Sequence, residues 1–302
     1  MIGSSIVDPP VGWIRTSFRR LVTGRDESDL SALIDPAGDP GLFGPDSATW
    51  VVHSDLAMLV GGLRALFVQM LHPLAMAGVA DHSDYRGDPW GRLHRTGEFL
   101  GLTTFGATEA AGAALQTVRR VHLRVRGTAP DGRAYSASDP HLVEWIHIAE
   151  VDSFLRAHQR YGHAPLDAAD ADAYVAEMAV IAERLGAPSP PRSVADLRAR
   201  LKAFRPELKV GSQARAAVRF LVVPPLPVAA RPAYGLVTAA AVGLLPRFAQ
   251  RALWVPMLPA VDPLAVRPAM SAVLSAGSWV LGASSARAAA EARVAGSGTV
   301  TR

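Results

Sequence analysis

The stretch PHLVEWIHIAEVDSFLRAHQRYG, Pro140–Gly162, decides the fold class. Asp139 stands ready as N-cap, Pro140 takes the first helical position and Gly162 closes the run, the asymmetry that helix ends prefer. Between these marks Val143, His147, Val151, Phe154 and His158 recur at steps of three or four, so one stripe of a long helix faces a core. Glu144, Trp145, Asp152 and Arg156 fall on the other face. The run is far longer than ordinary strands, and period-two alternation is absent from it.

Similar marks repeat on both sides of this stretch. Asp88 and Pro89 in GDPW open a helix that Gly101 is expected to end, and Thr108 caps another expected to stop at Gly127. Ser47 caps a long apolar helix, Val51–Leu71, bounded by His72-Pro73. Asp167–Leu185 and Ser193–Arg205 read as amphipathic helices, the second begun by Ser193 and Asp196 as a capping-box variant. The loop VVPPLP, residues 222–227, leads to alanine-rich C-terminal helices. Only TAPDGRAYSA, residues 128–137, has the turn and alternation of a strand pair. The expectation is an all-α protein with a single large helical domain over residues 46–292. An irregular arm with a first helix near Trp13–Thr23 precedes it over 1–45, and a disordered tail follows over 293–302.

Composition narrows the chemistry. The 302 residues contain no cysteine, which excludes disulfides, thiolate metal sites and a cysteine nucleophile. The net charge is +4, but Lys202 and Lys209 are the only lysines and the arginines are scattered, so nucleic-acid binding is not expected. MIGSSIVDPPVGWIRTSFRR lacks the continuous apolar segment of a secretory signal, and a cytoplasmic protein is expected. Pro268–Ala286 is uncharged yet diluted by Ser, Gly and Ala, which favours a buried helix over a membrane span. Peripheral membrane contact and homodimerisation through the C-terminal helices stay open.

Two histidines compete as ligands. In TEAAGAALQTVRRVHLRVRG, Leu115, Val118, His122 and Val125 share one stripe, which puts His122 on a buried face, with Arg119 and Arg126 beside it. A core histidine bonded to a carbonyl is the plain reading; a neutral imidazole among guanidiniums also suits a haem iron and its propionates. His147 could equally be an axial ligand, a distal base or a core residue. Glu144 and His147 form a Glu-x-x-His pair, but the second pair that a di-iron site needs is missing, and Glu150 with Asp152 is a weak carboxylate signal. In GRLHRTGEFL, Arg92, Thr96 and Phe99 share a face with Arg95 adjacent. Arg92 could steady an anion and Thr96 could donate a hydroxyl proton, or Arg92 could simply pair with Glu98 or Asp88. His94 points elsewhere, to solvent.

The ordered set LHP, HSDYRGDPWGRLHRT, FG, VRRVHLRVRG, DGRAYSASDPHLVEWIHIAEVDSF and YG resembles the catalytic domain shared by latex clearing protein, a rubber oxygenase, and the MpaB-type oxygenases. The resemblance covers roughly residues 51–205 well and the C-terminal helices more loosely. It implies a globin-reminiscent all-α fold that binds haem b and oxidises an apolar small-molecule substrate with O2 or peroxide. His122 matches the proximal ligand, and Arg92 and Thr96 match an Arg-x-x-x-Thr pair on the distal side. Arg95 stands where rubber oxygenases carry lysine. Arg119 and Arg126 become candidates for the propionates, and Trp145, Phe99 and Phe105 for the wall of a substrate pocket. The distal glutamate of those enzymes has no counterpart, so polyisoprene cleavage is not the expected reaction. A haem- or apolar-ligand-binding protein without turnover, acting as sensor, carrier or partner subunit, is the alternative.

Overall fold

A computed structural model describes residues 37–256, 261–281 and 285–296; the helix expected near Trp13–Thr23 lies outside them. The described chain is all-α apart from one hairpin. In order come α1 (Ala48–Ser54), α2 (Met58–Gln69), α3 (Pro73–His82), α4 (Pro89–Phe105) and α5 (Thr108–His122), then β1 (Arg126–Thr128) and β2 (Ala134–Ser136). The longest helix, α6 (Pro140–Tyr161), is followed by α7 (Ala168–Leu185), α8 (Val194–Ala203) and a 3-10 turn (Arg205–Glu207). Next are α9 (Ser212–Val222), α10 (Arg231–Gly243), α11 (Arg247–Leu253), α12 (Arg267–Leu281) and α13 (Ser285–Ala295).

Helix α6 is the axis of the core. Asp139 caps it by accepting from the His141 N–H at 3.0 Å, with Pro140 in the first turn. Its burial is not confined to the expected stripe: Glu144, Trp145 and Asp152, assigned to the outer face, are buried as well, and so is Ser153. Helices α1, α2, α7 and α8 pack around it. Gly61 lets α2 approach closely, since a Cβ there would meet the Phe154 Cδ1 at 2.8 Å. The charges enclosed by this packing are paired. Asp152 accepts from the fully buried Arg64 at 2.7 Å and from Arg156 at 2.8 Å, while Glu144 lies 3.0 Å from Arg200. Arg64 also donates to Ser153 Oγ and to the Leu244 carbonyl, tying α2 to α6 and to the end of α10.

Several boundaries differ from the sequence reading. The helix expected over 51–71 is split into α1 and α2, which meet at a 95° bend. Asp55 is extended there, and its carboxylate accepts from the Ala57 N–H at 2.8 Å, a side-chain bond that competes with helix continuation. Helix α4 runs through Gly101 to Phe105, because burial of Thr103, Thr104 and Phe105 outweighs a glycine penalty of about 1 kcal/mol. Helix α5 stops at His122, five residues before Gly127, and the chain turns into the hairpin. Gly127 is required in that hairpin: a Cβ would lie 2.6 Å from the Tyr135 hydroxyl. Thr108 does not cap α5 itself; Asp39, from the arm, accepts from both its N–H at 2.8 Å and its hydroxyl at 2.7 Å.

The C-terminal region also differs. Helix α12 is mostly exposed rather than buried, with Met270 and Leu274 turned inward and Trp279 82% exposed. Helix α13 carries through Arg293 to Ala295; residues 297–302 lie outside the described chain. Arg293 is buried and donates to the Asp39 and Phe105 carbonyls at 2.6 and 2.7 Å, which fastens α13 to the arm and to the end of α4. Among the described residues no single helix is long and apolar enough to cross a membrane.

The buried ion pair gives a direct test of this core. Asp152→Ala leaves Arg64 enclosed without a counter-charge and is expected to destabilise the fold by about 3–5 kcal/mol in urea denaturation. A loss within about 0.5 kcal/mol, typical of surface changes, would mean that water reaches Arg64.

Candidate functional site

Helices α4 and α5 pack against one another and are joined by only Gly106 and Ala107. At about 1.5 Å of rise per residue, Arg92 and His122 both lie about 20 Å of helix from that connection, at the same height of the helical hairpin. Arg92 is half-buried and donates to Ser83 Oγ at 3.0 Å; burial lowers the pKa of a guanidinium that stays charged. Arg95 instead takes Asp88, at 3.3 Å on the exposed surface. Thr96 is exposed and turns its hydroxyl back onto the Arg92 carbonyl at 3.0 Å, so the two share a helix turn rather than a common acceptor. His94 is half-buried instead of solvent-facing.

His122 closes α5 and is half-buried, and its Nδ1 is enclosed without a hydrogen-bond partner. Burial lowers its pKa, which keeps the imidazole neutral at pH 7 with the lone pair of one ring nitrogen to give. The carbonyl partner of an ordinary core histidine is missing at this Nδ1. Arg119, one turn earlier, is exposed. Arg126 is not on the helix: it begins β1, also exposed, and its carbonyl accepts from His82 Nε2 at 3.2 Å. The flanking at plus four expected from helical spacing is replaced by a strand neighbour.

His147 belongs to a second group, deeper in the fold. Its Nε2 is buried without a partner, and burial drives its pKa down to about 4. One turn along α6, Glu150 is pushed up to about 7 by burial. Tyr174 of α7 is raised well above its ordinary value by burial first, then by the charges of Glu150 and Glu177. His53 of α1, driven down to about 3 by burial, bonds to Thr104 Oγ1 of α4 at 2.7 Å and to the Tyr174 hydroxyl at 3.1 Å, and stands edge-on to Phe154. Four helices thus converge on neutral imidazoles, a phenol and one carboxyl poised to exchange a proton near neutrality.

A family comparison matches residues 50–275 to ER-bound oxygenase mpaB/B'/Rubber oxygenase, catalytic domain. The chain belongs to the mpaB/rubber oxygenase family. No curated protein and no solved structure matches. The match takes in α1 to α11 and most of α12, so the oxygenase domain extends well past the region where the motifs are dense.

Within the oxygenase domain, Trp145 and Phe105 belong to one buried core cluster and Phe99 packs against it, each with its own nearest partners. Trp145 donates its indole N–H to the Gln69 carbonyl at 3.0 Å and packs on Phe204, whereas Phe105 stands edge-on to Trp50 at 5.1 Å and Phe99 is half-buried on the core surface. Glu144 and Asp152 are held by arginines, which removes them as metal ligands. The sequence reading missed His53, Thr104 and Tyr174, because their contacts join segments 51 and 121 residues apart. Glu150 carried one usable signal: it sits one turn from His147 on a helix whose other carboxylates have arginines in reach.

The interior group makes a signed prediction. His53 and His147 have folded pKa values below the ordinary 6.5, so the unfolded chain binds more protons and stability rises with pH up to that value. Glu150 acts oppositely: its folded value of about 7 lies above the ordinary 4.5, so stability is lost as pH rises through that interval. Glu150→Gln should match the wild type near pH 4.5 and gain on it up to pH 8 in urea denaturation. Parallel curves would put Glu150 in contact with bulk water.

Proposed function

We propose that this member of the oxygenase family is a haem-b-dependent enzyme that oxidises a small or medium apolar substrate with O2 or peroxide. The observation that carries the reading is His122: at the position matching the family's proximal ligand stands a half-buried, neutral imidazole whose enclosed Nδ1 has no protein partner. That donor fits a haem iron. Arg119, one turn away on α5, and Arg126 on β1 are the cations placed to meet propionates. Haem would supply the redox-active iron, with little of the electron push that a thiolate ligand gives.

The chain's own residues would do the rest. Arg92 offers a fixed positive charge to an oxygen-derived anion, held by Ser83. Thr96 holds a proton on its hydroxyl; releasing the Arg92 carbonyl requires only a rotation about χ1. Arg95, tied to Asp88 at the surface, is the third residue of this side and acts once that exposed pair opens. His147 stays an alternative axial ligand, because its buried Nε2 is equally unpartnered. The cytoplasmic location expected from the sequence belongs to the same proposal. The arrangement of Thr96 also favours a second reading, a haem or apolar-ligand carrier, since its hydroxyl is turned away from any shared site.

Protein expressed with haem supply is expected to show a near-stoichiometric Soret band that His122→Ala abolishes or sharply alters. A band lost in His147→Ala and unchanged in His122→Ala would exchange the two histidines, and no band in the wild type would overturn both readings. Thr96→Val and Arg92→Ala should retain haem while substrate oxidation falls by about 10²-fold or more; a carrier would keep its ligand affinity in both variants.

A further inference from the structure

Three segments far apart in sequence meet where α6 begins. His72 is the N-cap residue of α3, His141 lies in the first turn of α6, and Glu207 ends the 3-10 turn after α8. Their ligand atoms lie within 4.8 Å of one another. His141 Nε2 is 3.0 and 2.9 Å from the two Glu207 oxygens, and His72 Nε2 is 3.4 Å from Oε2. Donors about 2.0–2.2 Å from a tetrahedral cation stand about 3.3–3.6 Å apart, so these atoms need only small shifts to surround one.

The surroundings hold the three groups in place. The Lys209 N–H donates to the Leu71 carbonyl at 2.9 Å, which fixes the 3-10 turn against the residue before His72. Trp145 and Gln69 exchange side-chain bonds with the facing backbone of α2 and α6. Phe204 stacks on the His141 ring at 4.4 Å, and the His72 ring is only 1% exposed. Arg133, which feels the charge of Glu207, is already paired with Asp131 at 2.8 Å. A plain histidine–carboxylate contact explains His141 but not His72, whose 3.4 Å separation is long for a hydrogen bond and suits two ligands of one ion.

We propose that His72, His141 and Glu207 bind one divalent first-row cation, with Zn2+ the best match to two imidazoles and a carboxylate and water in the remaining position. The half-exposed His141 and Glu207 give the ion a path from solvent, and binding clips α3, α6 and the 3-10 turn together. The site shares no residue with the proposed haem site and does not rest on it.

The test uses the full chain, freed of metal by a chelator and titrated with ZnCl2 by calorimetry and with Co2+ by visible absorption. One equivalent is expected to bind, with the strong visible bands of low-coordinate Co2+, and Zn2+ should raise Tm above that in EDTA. His141→Ala and Glu207→Gln should each weaken binding by at least about tenfold, on the scale of losing an orienting group or more, and remove the Tm difference. Their Tm in EDTA reports whether they fold. His122→Ala should bind Zn2+ as the wild type does. Absence of stoichiometric binding, or binding that survives both variants, overturns the proposal.

Discussion

A long helix buried over most of its surface constrains everything around it. Because most of α6 is enclosed, each charge it buries must be neutralised by a neighbour or shift to its neutral form, while Arg156 and Arg160 reach solvent. Asp152 and Glu144 take the first course, through Arg64 and Arg200. His147 and Glu150 take the second. The same helix therefore binds its neighbours by ion pairs at some positions and presents neutral, proton-exchanging groups at others.

That division separates structural polarity from chemically available polarity. Arg64 satisfies three protein acceptors at once, one through each guanidinium nitrogen. His122 and His147 each keep a buried nitrogen without a partner, an expense in stability that an ordinary core histidine avoids by bonding to a carbonyl. In a family of oxygenases, unspent imidazole nitrogens are where cofactor chemistry is sought, and the two histidines lie on different helices, α5 and α6. The His72, His141 and Glu207 group adds a third kind of polarity, convergent donors close to the surface.

Much of the fold was legible in the sequence for local reasons. The Asp-Pro starts at Asp88 and Asp139, the cap at Ser193 and the hairpin at Asp131-Gly132 are written in neighbouring residues, and each stands as read. Where the reading erred, distant residues decided. Helix α4 passes Gly101 because its last turn is buried, α5 takes its cap from Asp39, and the small Ser and Ala residues of α12 lie mostly at the surface. Local patterns report what a segment can do alone, and packing decides what it does in company.

The candidate site shows the same boundary. By itself the sequence determined the helical class, the family motifs and the residues able to carry chemistry, because periodicity, capping and motif order depend only on near neighbours along the chain. Only the tertiary structure decided which of them are free to act: it left His122 and His147 unpartnered, tied Arg95 to Asp88 and moved Arg126 onto a strand. It alone brought His53 to Tyr174, and His72 to His141 and Glu207. Burial and approach across dozens of residues are properties of the packed chain, and they set the protonation state and spacing on which any ligand would depend.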